Sequence, residues 1–213
     1  MASQQHKGHK WFAAYWDRMV KIESRGLQEL RDRALAGLSG RVLEIGAGNG
    51  ANFHRYPASV TSIVATEPDP YMLDRARNHA ASLSRLIELH QAPAEELPFD
   101  DDAFDAVVSI LVLCSVTDQS SALAEIKRVL KPGGQLRFVE HVRFDGAVSG
   151  AFQDLMAPAW RWLGAGCNPN RRTAQAISDA GLTIDSIHRF SLAPPVPPLC
   201  VTRPAVTGTA VKS

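Results

Sequence analysis

The stretch RVLEIGAGNG, Arg41 to Gly50, places glycines at 46, 48 and 50 behind a short apolar run. With Gly46, Gly48 and Ala51 it satisfies G-x-G-x-x-[GA], a pattern that on its own is weak evidence for a dinucleotide site. The G-K-[ST] ending of a phosphate-binding P-loop is absent. Two acids narrow the chemistry. Glu44 stands just before the turn, where a carboxylate repels a pyrophosphate and suits a ligand with a cationic end. Glu67 follows roughly 20 residues after the glycines, the spacing at which an acid commonly pairs with ribose hydroxyls. A cationic amino acid joined to a nucleoside, S-adenosylmethionine, satisfies both. A helix-capping or surface acid is the plainer reading of Glu44.

Other reactive side chains lie downstream. His141 follows RFVE and is a candidate general base or a structural histidine. Cys114 is a candidate site-lining thiol or a small buried apolar residue. Cys167 sits in a glycine-containing loop, and Arg171 offers either an anion contact or a surface salt bridge. Trp11, Phe12, Tyr15 and Trp16 form an aromatic face, and Trp160 and Trp162 a second aromatic pair. Such groups can close over a sulfonium by cation–π attraction, or simply pack an amphipathic helix. The three cysteines, Cys114, Cys167 and Cys200, are far apart and lack a CxxC spacing. That spacing argues against a zinc site and against a disulfide frame, so no metal is expected, and it suits a reducing cytoplasm.

The elements that must position these groups follow from periodicity. Apolar steps of three and four from Trp11 to Gly37 predict a helix. RVLEIG, TSIVATEP, LIELHQA, FDAVVSILVLCSV and GQLRFVEHV predict five strands. They alternate with helices at DPYMLDRARNHAA, with Asp69 as N-cap and Pro70 in the first turn, and at DQSSALAEIKRVLKPGG. Alternation of this kind predicts a parallel α/β sheet covered on both faces. GAVSGAFQDLMAPAWRWLGAG predicts a helical insertion broken at Pro158. A helix at TAQAISDAGL, a strand at TIDSIHRFSL, a rigid proline-rich connection and a last strand at AVTGTAVK complete the chain.

Composition excludes several classes. The chain has 213 residues, 45% hydrophobic, ample for one core and one domain. Its 23 basic against 22 acidic residues, net charge +1, lack the basic excess of a nucleic-acid binder. MASQQHKGHK is polar and no apolar h-region follows it, so neither a signal peptide nor a transmembrane segment is expected.

VLEIGAGNGANF, ATEPDPYML, AEELPFDDDAFDAVVS and IKRVLKPGG resemble, in order and spacing, the successive motifs of class I S-adenosylmethionine-dependent methyltransferases, from about Arg41 to Val142. The resemblance implies a Rossmann-like fold: seven mostly parallel strands, helices on both faces, and an antiparallel last strand beside the fifth. It implies a helical lid over residues 1–39, a cofactor core over 40–142, and a substrate-side insertion with the final strands over 143–213.

Carried over, Gly46, Ala47, Gly48, Asn49, Gly50 and Asn52 line the cofactor. Glu44 faces its methionine end, and Glu67 takes the ribose hydroxyls beside Pro68 and Asp69. Met72, Leu97 and Leu111 are further neighbours. The family often has Asp where this chain has Pro93, which offers neither carboxylate nor N–H, so adenine contacts fall to Ala94 and Glu95.

LVLCSV, RFVEHV and WRWLGAGCNPNRRT look like the small-thiol methyltransferases among the animal methyltransferase-like proteins, through Gly164, Gly166, Cys167, Arg171 and Thr173. This branch implies a small-molecule methyl acceptor, a thiol or hydrosulfide; at the carboxyl edge His141 is the expected catalytic residue, with Cys114, Cys167, Arg171, Trp160, Tyr15 and Trp16 as expected substrate contacts. Those animal proteins carry an N-terminal membrane anchor, which the polar start here does not match. The core motifs are shared with O-, C- and N-methyltransferases of quinones, phenols and phospholipid amines, the last of which would bring peripheral membrane contact. A nicotinamide oxidoreductase remains the alternative of another class. A thiol, with a pKa near about 8.5, needs a strong base less than a phenol near about 10.

Overall fold

The computed structural model describes residues 25–164, 166–192 and 199–213. Tyr15, Trp16 and the rest of the first aromatic face lie outside the described residues, as does most of the proline-rich connection. The described elements run α1 (Arg25–Leu35), β1 (Gly40–Ile45), β2 (Val60–Thr66), α2 (Pro70–Ala81), β3 (Ile87–His90), β4 (Phe104–Ile110), α3 (Gln119–Val129), β5 (Leu130–His141), α4 (Ala147–Leu163), α5 (Thr173–Asp179), β6 (Leu182–Ser191) and β7 (Pro204–Lys212).

One sheet takes all seven strands in the order β3-β2-β1-β4-β5-β7-β6. The first five pair in parallel, and β7 runs antiparallel between β5 and β6. The expected seven-stranded sheet with an inserted antiparallel last strand is what forms. Chain order reverses between β1 and β4, and in open α/β sheets ligands bind outside the carboxyl ends of the strands at such a point.

Burial explains the apolar runs. Val42, Ala65 and Val108 pack with Leu35 of α1 and Ala76 of α2. Leu43, Val64 and Val107 point to the other face, against Leu123 and Ile126 of α3 and Ile177 of α5. Both faces are covered, so β1, β2 and β4 read as continuous hydrophobic strands. Asp69 caps α2 as expected, accepting from the backbone N–H of Tyr71 at 2.8 Å and Met72 at 3.2 Å, with Pro70 first in the helix. Asp118 caps α3 likewise, through Ser120 and Ser121.

Several boundaries differ from the sequence reading, which carried α3 through Gly134, whereas α3 ends at Val129 and β5 begins at Leu130. The fourth strand was expected to run through LVLCSV but stops at Ile110, because Leu111 turns left-handed at φ +61°. Pro158 does not break its helix: α4 is continuous over 17 residues. A proline forfeits only the bond to the carbonyl four residues back, here that of Asp154, and Asp154 is exposed, so water can reach that oxygen. Val148, Leu155 and Trp162 of α4 form an exposed apolar ridge.

Gln153 anchors α4. Fully buried, it accepts from Phe144 N at 2.9 Å and donates to the carbonyls of Val142, Pro169 and Val201. Gln153→Leu strands these groups, and we expect a loss of about 3 kcal/mol of stability, read from urea denaturation midpoints.

Candidate active site

The turn after β1 is left-handed at all three glycines: Gly46 at φ +55°, Gly48 at +59° and Gly50 at +81°. At Gly46 a side chain is excluded twice, since its Cβ would meet both methyl carbons of Val112 at 2.7 Å. The bare turn lies against the end of β2, with Ala47 N donating to Thr66 O at 2.9 Å. Glu67 emerges there. It accepts from Gly48 N at 2.8 Å and Asp69 N at 2.9 Å, across Pro68. Burial pushes its carboxyl group up to about 7, against the pull of these two donors.

Glu44, expected to face the methionine end of the cofactor directly or through water, is buried in β1 just before the turn. Both of its oxygens are engaged within the protein, one by Asn52 Nδ2 at 2.7 Å and one by the Tyr56 hydroxyl at 2.8 Å. Asn52 in turn accepts from Arg31 Nη1 at 2.9 Å. All four side chains are buried. Burial raises the Glu44 carboxyl group, while the Asn52 and Tyr56 bonds and the Arg31 charge oppose it. Glu44 and Asn52 therefore lock α1 onto the glycine turn.

Asn49 is half-buried at the turn, and Met72 is buried in the first turn of α2. Ala94 and Leu97 belong to the core. Glu95 accepts from Thr117 N at 2.7 Å and Asp118 N at 3.2 Å.

The other half of the site is built on a residue that sequence reasoning did not single out. Glu140, fully buried near the end of β5, accepts from Ser109 Oγ at 2.7 Å and from the backbone N–H of Val112, Leu113 and Cys114 at 3.0–3.1 Å. Burial raises its carboxyl group and these four donors oppose that rise. One carboxylate thus holds the loop after β4 on both sides of the left-handed Leu111, whose own N–H donates to Val139 O at 2.7 Å. An acid within an otherwise apolar strand run, RFVEHV, was the signal available.

That loop delivers Cys114. Its thiol lies 3.8 Å from His141 Nδ1 and 3.8 Å from the Cys167 thiol, and Cys167 lies 3.5 Å from the same nitrogen. Both cysteines are buried and His141 is half-buried. The shared hydrogen bond splits the thiols: it pushes Cys114 well up, reinforced by burial, and holds Cys167 down. Trp160 stands beside Cys167, its indole lying over Gly164.

Arg171, expected at an anionic group or in a surface salt bridge, reaches the Cys114 loop. Its guanidinium is taken up by backbone carbonyls, Leu113 at 2.5 Å and Val116 at 2.6 Å. It clamps the Cys114 loop from outside, and burial lowers its basicity. The absence of CxxC speaks only to ligands close in sequence; here three donors 26 to 53 residues apart converge.

The methyltransferase domain family matches residues 43–138. The human thiol S-methyltransferase TMT1B is 35% identical over 189 residues, covering 84% of this chain and 75% of its own. Human thiol S-methyltransferase TMT1A is 32% identical over 224 residues, covering 95% and 86%. A crystal structure of a SAM-dependent methyltransferase from Thermotoga maritima superposes with a TM-score of 0.70, over 96% of this chain and 100% of that one. At 19% identity that likeness concerns the fold alone.

Proposed function

The chain belongs to the S-adenosylmethionine-dependent methyltransferases, and from that membership we propose that its methyl acceptor is a small thiol or hydrosulfide. One observation carries the reading. The segments resembling thiol methyltransferases, LVLCSV, EHV and the GxGC loop, converge on one point, where Cys114, His141 and Cys167 meet. Relatives 32% to 35% identical over most of their length are thiol S-methyltransferases.

The residues present fit the cofactor. The glycine turn leaves backbone bare at the carboxyl end of β1, and Glu67 is a buried carboxyl group with two N–H partners and capacity for ribose hydroxyls. When bound, the cofactor supplies a methyl group on a positively charged sulfur. The chain's task is alignment: acceptor sulfur, methyl carbon and leaving sulfur in line, with water excluded. Gly46 packs against Val112 of the Cys114 loop, so the cofactor turn and the acceptor cluster are held as one unit. His141 is the residue beside the acceptor's sulfur. Among the described residues no helix is long and apolar enough to cross a membrane.

Glu67 makes cofactor binding pH-dependent. Ribose hydroxyls donate to the carboxylate, so binding favours the ionised form. Affinity rises with pH up to about 7 and levels off above it. In the free protein the sign is opposite. A raised folded-state pKa stabilises the fold below the carboxyl group's ordinary value, and that stability is lost as pH rises through about 7. Calorimetry at pH 6 in two buffers of different ionisation enthalpy should register proton release on binding.

The acceptor is tested by steady-state transfer to hydrosulfide, an alkyl thiol, a phenol and a demethylated quinol. Thiol turnover exceeding phenol and quinol turnover supports the reading. Quinol turnover without thiol turnover overturns it and leaves the family intact.

A further inference from the structure

We propose that Cys114, Cys167 and His141 form a three-ligand site for a zinc ion whose open fourth position takes the acceptor's sulfur. The ligand atoms, two Sγ and Nδ1, all lie within 4.8 Å of one another. Zinc bonds of about 2.3 Å to sulfur and about 2.0 Å to nitrogen, at tetrahedral angles, require separations of about 3.8 Å between sulfurs and about 3.5 Å between sulfur and nitrogen. The observed separations are 3.8 Å between the thiols, and 3.8 and 3.5 Å from the thiols to Nδ1. Each ligand pair already stands near the spacing that one central ion imposes.

The donor set matches the metal. Two soft thiolates and an imidazole favour zinc over the hard cations, and three protein ligands with one open position are the catalytic rather than the structural pattern. The backbone around the ligands is fixed in advance. Glu140 holds Cys114 N, and Asn168 N donates to Cys114 O at 2.7 Å, tying the Cys167 loop to the Cys114 loop. Both cysteines are buried and His141 is half-buried, so the imidazole is the ligand that meets solvent. A disulfide fits the same cysteines less well, because a bond of about 2.05 Å requires the sulfurs to close from 3.8 Å.

The metal would do what a base otherwise must. A thiol entering the fourth position loses its proton to solvent, since a coordinating thiol is deprotonated outright. Its sulfur attacks the methyl carbon of the cofactor's sulfonium. A carbon–sulfur bond forms, and the old one breaks with its electron pair going to the leaving sulfur. The product is a neutral thioether, a weaker ligand than a thiolate, and leaves. His141 then acts as ligand and not as proton acceptor. The metal site stands on the cluster alone; the use of its fourth position rests on the thiol reading above.

The test uses the untagged full chain, reduced and stripped of metal, titrated with cobalt(II) alone. The expected result is one equivalent bound, with a thiolate-to-cobalt charge-transfer band and the strong visible absorption of tetrahedral cobalt, displaced by zinc. Cys114→Ser and Cys167→Ser should each weaken binding by about tenfold or more. Cys200→Ser should not, and S-adenosylmethionine affinity should survive in all three. An alkyl thiol should perturb the band, and metal removal should lower thiol transfer by about tenfold or more, restored by zinc.

Absence of the band, or its persistence in the Cys114→Ser, Cys167→Ser double variant, overturns the site. A band that no thiol perturbs overturns the fourth-position role. Undiminished thiol transfer by metal-free protein overturns the zinc role and leaves the thiol reading standing. A cobalt site with no thiol transfer under any loading contradicts the thiol reading instead, and the site stands.

Discussion

Replacing Glu140 by alanine is expected to cut methyl transfer about a hundredfold or more and to weaken cofactor binding less, by about tenfold at most, through Val112, which packs against Gly46. The carboxylate touches no part of the glycine turn or of Glu67. It holds Ser109 and three successive backbone N–H groups of the loop that carries Cys114. Its removal leaves four donors, three of them buried, without their acceptor and frees the loop on both sides of Leu111. Each stranded donor costs about 1–3 kcal/mol, partly recovered by water entering the space, so a net stability loss of about 3–5 kcal/mol is expected. Glu140→Gln keeps one carbonyl oxygen for most of these donors but turns an N–H toward another N–H. It should retain the fold and lose about tenfold in turnover. Comparing kcat with cofactor affinity in the two variants separates a loop that positions the acceptor from a general loss of structure.

Glu67→Ala should act on the other half of the site. Charge-assisted bonds to hydroxyls contribute about 1.5–3 kcal/mol, so loss of the carboxylate is expected to weaken S-adenosylmethionine binding about a hundredfold, with a much smaller effect on turnover at saturating cofactor. Glu67→Gln should fall between and lose the pH dependence below about 7, because no proton is then exchanged. Calorimetric titration at pH 6 and pH 8 reads both effects. Unchanged affinity in Glu67→Ala would remove Glu67 from the cofactor site.

What the sequence revealed was local. Each strand–helix unit announces itself by period, and the caps Asp69 and Asp118 and the left-handed glycines each involve residues a few positions apart. The position of β7 between β5 and β6 is not local, and came only from the resemblance to a family. The remainder depends on contacts that spacing does not encode. Spacing does not show that Asn52 and Tyr56 fold close enough to Glu44 to bond both its oxygens. Arg171 was read as an anion or salt-bridge contact, yet folding brings it to the carbonyls of Leu113 and Val116, more than 50 residues away. Gln153 and Glu140 looked like polar interruptions of apolar segments. Each turned out to satisfy several backbone groups at once. Pro158 looked like a helix break because the rule counts the lost bond and not the water available to replace it.

The central claim is that the sulfur-and-imidazole cluster at the ends of β4 and β5 receives a thiol for methylation. The most direct measurement is a single turnover: protein loaded with one equivalent of methyl-labelled S-adenosylmethionine, mixed with an alkyl thiol and an equal concentration of a phenol, then quenched in a time course. The account predicts label on the thiol's sulfur, with the rate collapsing in His141→Ala while the cofactor stays bound. Label on the phenol, or thiol labelling at an unchanged rate in His141→Ala, would contradict it.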